Sequence, residues 1–198
     1  ISEELITITR QLFPLSAKRE DTALAGISIG AYTALINGML RPDRFGSIIM
    51  LSGAFMRDRV LEAVESHSPR KRKYYERWFG NLDTVIGSEK DYVTLIDRFK
   101  QDPELPKPRF YGACGEHDNL CGNNREVVGL LKEAGFDVTY WEPEIGSHEW
   151  PFWNAWIDCA LDWYAPGEMK PSSANVDYTG ITSLRPPDEG KFVLKDND

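Results

Sequence analysis

Three short segments carry side chains that could act together on a carbonyl: Gly26-Ile27-Ser28-Ile29-Gly30, Cys114-Gly115-Glu116-His117-Asp118 and Gly146-Ser147-His148-Glu149-Trp150. A serine hydroxyl is a poor nucleophile near neutral pH, so it needs a neighbouring base and a turn that lifts it clear of its own backbone. Gly26 and Gly30 suit a turn in which strand and helix approach closely, with Ser28 projecting at the helix N-terminus. There the free N–H of Ile29 could donate to a developing oxyanion. An imidazole titrates near the working pH, so His148 could take the Ser28 proton and return it to a leaving group. Its second nitrogen then needs a carboxylate that orients the ring and steadies the imidazolium. Asp118 is the choice for that part and Glu116 its rival in the same loop. His117, wedged between the two acids, is read as a surface or supporting group. The five-residue glycine–serine pattern alone matches many ordinary turns, and its weight comes from its place between a strand and a helix. In the order nucleophile, acid, base, the three residues point to acyl transfer by Ser28, with Asp118 and His148 completing a triad.

These residues act together only if the elements around them converge. Thr22–Ala25 reads as a strand entering the turn at Ser28, and Ile29–Leu40 as a helix ended by Arg41-Pro42, because proline disfavours helical geometry in the residue before it. Ser47–Ser52 is apolar at its centre, as a strand covered on both faces should be. Arg109–Cys114 and Val138–Trp141 read as further strands, Asn123–Ala134 as a helix closed by Gly135, and Pro151–Tyr164 as the last helix. Trp153, Trp156, Ala160 and Trp163 recur along that helix at a spacing read as core packing. Each chemical segment follows a predicted strand, which puts all three at carboxyl ends, where open α/β sheets bind ligands. Upstream, Ser2 could cap a helix running to about Phe13, with Leu5, Ile8 and Leu12 on one face. Residues 56–108, with helical candidates at Val60–Ser66, Lys71–Trp78 and Tyr92–Lys100, are read as a cap over the site. The expected organisation is one domain over residues 1–165 and an irregular tail over 166–198, in which Gly190–Lys195 could form one more strand.

Composition narrows the partners. The chain has 198 residues with 23 basic and 31 acidic side chains and a formal charge of −8, which argues against nucleic acid or an anionic membrane as partner. A small-molecule or carbohydrate-linked ester fits better. The run Arg70-Lys71-Arg72-Lys73 is read as a solvated helix face, and His67 as a solvated side chain. No apolar stretch approaches the roughly 20 residues that span a bilayer, and the first residues lack a signal peptide's pattern, so the cytoplasm is the expected location. Cys114, Cys121 and Cys159 are too irregularly spaced for a disulfide framework or zinc site and are read as reduced thiols. There is no Walker loop, His-Glu-x-x-His pair or dinucleotide fingerprint, so no cofactor is expected.

The motifs, together with Ala31-Tyr32, Arg41-Pro42-Asp43-Arg44-Phe45, Leu51-Ser52-Gly53 and Trp150-Pro151-Phe152-Trp153, resemble the esterase D-like α/β-hydrolases. The resemblance runs from about Leu24 to Trp163, is nearest to the tributyrin esterases, and extends to S-formylglutathione hydrolases and acetyl-xylan or feruloyl esterases. It implies a mostly parallel sheet flanked by helices, the triad Ser28, Asp118 and His148, and hydrolysis of short acyl esters through an acyl-enzyme without a cofactor. Ile29 and Ala31 stand where methionine and glycine are usual in that family, and the tail after Pro166 has no counterpart in it. The family's early strands, and the loop donating its second oxyanion N–H, would precede Ile1. The chain is therefore expected to be the C-terminal part of a longer hydrolase, or to have its sheet edge covered by another segment or a second copy. A non-catalytic binding or structural module and an acyltransferase are the competing expectations.

Overall fold

The computed structural model describes residues 3–66 and 68–166. Ser2, His67 and the tail beyond Pro166, with its candidate strand at 190–195, lie outside these residues. Four parallel strands, β1 (Ala23–Ile27), β2 (Ser47–Leu51), β3 (Arg109–Ala113) and β4 (Val138–Trp141), pair in the order β1-β2-β3-β4. Helices α1 (Glu4–Leu12), α2 (Ile29–Leu40), α3 (Arg57–Glu65), α4 (Pro69–Phe79), α5 (Tyr92–Gln101), α6 (Cys121–Glu133) and α7 (Trp150–Tyr164) lie between and beside them, with one 3-10 turn at Leu82–Thr84. This is the mostly parallel α/β architecture expected from the sequence.

β2 shows why the sheet has two covered faces. Every one of its residues is buried, and successive side chains point to opposite sides. Ile48 and Met50 pack with Leu35 and Met39 of α2, Leu95 and Phe99 of α5 and Val127 and Leu131 of α6. Ile49 and Leu51 face the other way, onto Phe152, Trp153, Trp156 and Ala160 of α7. The aromatic stripe of α7 is thus a helix face against a sheet face.

The segment 56–108 divides. α3, α4 and the 3-10 turn bury Val60, Ala63, Tyr75, Phe79, Leu82 and Val85 in a cluster of their own, whereas α5 belongs to the main core. The buried Asp91 joins the two parts: its carboxylate accepts from Arg57 Nε at 3.0 Å, the Gly87 N–H at 3.1 Å, the Val93 N–H at 3.2 Å and Thr94 Oγ1 at 3.1 Å. The basic run is a charged helix face, with Lys71 paired to Glu62 and Arg72 to both Glu76 and Asp83.

At the other end of the sheet, β1 pairs with β2 on one side and with no strand on the other among the described residues. α1 starts at Glu4 with Glu3 at the capping position and no side-chain cap, rather than with a serine cap. Its expected apolar face exists but is uncovered: Leu5, Ile8 and Leu12 are exposed, as are Phe13 and Leu15 after it. Among the described residues no helix is long and apolar enough to cross a membrane.

Candidate active site

Ser28 stands at the exit of β1 with φ 56° and ψ −121°, a left-handed conformation that a side chain adopts only under constraint. Two backbone bonds supply the constraint: the Ser28 N–H donates to Leu51 O at 2.9 Å, and Ser28 O accepts from the Ala54 N–H at 3.0 Å. Gly26 makes the turn sterically possible, since a Cβ there would lie 2.1 Å from the Gly30 backbone. Gly30 itself has open space where a Cβ would stand, so the expectation that both glycines are needed for close approach holds for Gly26 alone. Ile29 is the first residue of α2, which leaves its N–H without a carbonyl partner inside the helix.

The acid and base come from loops that must cross the sheet. β1 and β3 lie two strand spacings apart, about 10 Å, so the segment after β3 reaches the nucleophile only with help from the loop after β4. That help is a close backbone crossing. A Cβ on Gly115 would lie 2.1 Å from Gly146 O, and Gly146 has φ 118° with its own Cβ position 2.2 Å from the Phe152 ring. The His117 N–H donates to Gly146 O at 3.2 Å and the Glu116 N–H to Pro143 O at 2.9 Å, which stitches the two loops together.

With the loops joined in this way, the three predicted side chains meet. His148 Nε2 lies 2.9 Å from Ser28 Oγ, and His148 Nδ1 lies 2.9 Å from Asp118 Oδ2. In the neutral ring with its proton on Nδ1, the imidazole donates to the carboxylate and accepts from the hydroxyl. The Asp118 side chain is 0% exposed, whereas that of His148 is 34% exposed. The acid is therefore shielded from water while the base stays open to a ligand. The Leu120 N–H donates to Asp118 Oδ1 at 2.9 Å, which occupies the oxygen that His148 does not use. Glu116 is exposed, and His117 contributes its backbone N–H.

Two further groups beside the site escaped the sequence reading. Trp153 belongs to the core stripe, yet its ring also meets the His148 ring at 4.8 Å and 87°. Trp150, one turn earlier, is exposed and packs edge-to-face on Trp153. The spacing of His148, Trp150 and Trp153 was the available signal; helical periodicity alone could not separate core from site. Cys114 and Cys121 are buried free thiols flanking the acid. The hydrogen bond to Cys121, and then burial, push the Cys114 thiol well above its usual range, so it stays protonated.

Comparison with known proteins gives the same picture. An acetyl esterase of Caldicellulosiruptor saccharolyticus is 39% identical over 165 residues, covering 82% of this chain and 61% of that protein. Two Staphylococcus aureus structures superpose with a TM-score of 0.67: FphF, a fluorophosphonate-binding serine hydrolase, at 27% identity over 81% of this chain and 60% of its own, and the S-formylglutathione hydrolase FrmB at 26% identity over 81% and 61%. The chain thus spans about three fifths of the length of these relatives. The family described as "Putative esterase" matches residues 1–163. With that match over most of its length and a parallel sheet shared with serine hydrolases, the chain belongs to the esterase family of α/β-hydrolases.

Proposed function

We propose that the protein is a serine carboxylesterase that cleaves short-chain acyl esters through an acyl-enzyme. The observation that carries this reading is the unbroken row from Ser28 Oγ through both His148 nitrogens to a fully buried carboxylate. Ser28 Oγ attacks the ester carbonyl while His148 Nε2 takes its proton, and Asp118 steadies the resulting imidazolium. The Ile29 N–H donates to the oxyanion at the start of α2, where the helix dipole favours negative charge. His148 then returns the proton to the departing alcohol, and water repeats the sequence on the acyl-serine to release the acid. The acetyl and formyl groups named in the relatives support a short acyl chain. A small-molecule or carbohydrate-linked ester is the substrate class we assign. In the same reading α3 and α4 cap the site, supported by Tyr32, one turn beyond Ser28, meeting Phe79 of α4 at 5.5 Å.

A fluorophosphonate probe tests the chemistry. Labelling of the wild type, lost in Ser28→Ala together with at least about 10⁴-fold of ester turnover, is the expected result. A folded wild type that neither labels nor hydrolyses would instead be a binding module. Transfer of the acyl group to an added sugar in preference to water would make it an acyltransferase. A panel of acetyl, butyryl, longer acyl and feruloyl esters should show turnover falling as the chain lengthens.

A further inference from the structure

The loop that leaves β2, Ser52-Gly53-Ala54, is bonded directly to Ser28 and reaches towards the acid and the base through Asn124 and Trp153. Towards the nucleophile, the Ala54 N–H holds Ser28 O at 3.0 Å. Towards the acid, the Gly53 N–H donates to Asn124 Oδ1 at 2.9 Å, and Asn124 Nδ2 donates to Gly53 O and to Leu120 O, both at 2.8 Å. Towards the base, Trp153 Nε1–H donates to Ser52 Oγ at 3.0 Å, and the same indole abuts the His148 ring. Ser52 is fully buried and has φ 45°, a conformation in which glycine is the easier residue. A hydroxyl kept there against backbone preference calls for a reason beyond filling space. A buried indole N–H needs an acceptor, and Ser52 Oγ supplies it.

We propose that Ser52 is a positioning residue, which through its hydrogen bond to Trp153 fixes the plane of the His148 imidazole. The inference rests on the esterase reading for its consequence in turnover, and on geometry for the rest. Asp118 and Ser28 hold the ring at its two nitrogens, which leaves tilt about the line joining those nitrogens open. The indole closes that freedom from the side, and the Ser52 hydroxyl in turn fixes the indole. Core contacts alone would keep Trp153 buried but would let it tilt. The Ser52 bond lies where water does not compete, so one orientation is selected.

The test uses the full-length protein and four variants: Ser52→Ala, Ser52→Gly, Trp153→Phe and the double Ser52→Ala/Trp153→Phe. In each single variant kcat on p-nitrophenyl acetate is expected to fall about tenfold, the worth of one net hydrogen bond, with KM within about twofold of wild type. The double variant should fall no further than the worse single, because both remove the same bond. Ser52→Gly relieves the backbone constraint, so it should be more heat-stable than Ser52→Ala yet equally slow, whereas a hydroxyl acting only through stability would give the more stable variant the higher kcat. The downfield Nδ1–H resonance of His148 should be sharp in the wild type and broadened in the variants. An active wild type with Ser52→Ala and Ser52→Gly at undiminished kcat overturns the proposal, as does a double variant whose losses multiply. An inert wild type sinks the esterase reading, and the resonance then decides: unchanged in Ser52→Ala, it overturns the positioning role as well. Ser52→Ala removes a single oxygen and carries the test if Trp153→Phe fails to fold.

Discussion

At the residue scale, one loop offers two carboxylates only two positions apart, and their surroundings separate them. Asp118 is enclosed, bonded by one oxygen to the Leu120 N–H and by the other to His148, while Glu116 points to solvent. A buried carboxylate fixes the imidazole's tautomer and orientation; an exposed one has neither the geometry nor the low-dielectric setting to do so. Asp118→Asn is expected to reduce kcat by about 10³- to 10⁴-fold with little change in KM, because the amide leaves the ring in the wrong tautomer. Glu116→Gln should stay within about twofold of wild type. Steady-state kinetics on one short ester checks both, and an equal loss in the two variants would refute the assignment of the acid. The sequence put both carboxylates in the loop after β3 and favoured Asp118, and the fold shows that Asp118 is the one enclosed against His148.

At the element scale, the site depends on how closely backbone can approach backbone. β1 meets α2 at Gly26, and the loop after β3 meets the loop after β4 at Gly115 and Gly146. Gly26→Ala would set a methyl against the Gly30 carbonyl group, whose backbone cannot swing aside as a side-chain tip would. A loss of about 3 kcal/mol or more is expected by chemical denaturation. Gly30→Ala meets open space in a helix, where alanine is the better former by about 1 kcal/mol, so it should be neutral or stabilising. Equal destabilisation by both would mean that the turn is not built as described. The strand and helix order was readable because apolar runs and proline or glycine stops are local signals. Boundaries moved where a long-range bond set them. β1 extends to Ile27, beyond the expected Ala25, because Gly26 and Ile27 stay in register with Met50 and Leu51 of β2. α3 starts at Arg57 rather than Val60, and Arg57 is paired with Asp91 from 34 positions along the chain.

At the scale of the whole molecule, stability depends on charges that join distant parts. Arg125 of α6 grips Glu142, which follows β4, through Nε at 2.8 Å and 2.9 Å and through a further Nη2 contact. This hydrogen bond, with burial opposing it, holds the Glu142 carboxyl below the usual range. A carboxyl lowered by folding stabilises the fold above its unfolded pKa, and that contribution fades as the pH falls through the folded value. Arg125→Gln should therefore lower Tm most near neutral pH, and the gap from wild type should narrow steadily as the pH falls below the unfolded carboxyl value of about 4.3. Added salt should narrow the neutral-pH gap, since Arg125 is largely exposed. A gap that widens toward acid would show that the pair is not what joins α6 to the segment after β4. Thermal melts across that pH range decide it.

The sequence by itself pointed to acyl-transfer chemistry and determined the order of strands and helices and the three side chains to be joined, because those follow from residue type, periodicity and short glycine-rich turns. Only the tertiary structure decided how the loops after β3 and β4 are joined so that Asp118 reaches His148, that Gly26 rather than Gly30 is sterically required, and that Ser52 and Trp153 stand behind the imidazole. Each of these depends on which atoms share a site after the chain has crossed the sheet, and local patterning carries no record of distances between segments far apart in sequence.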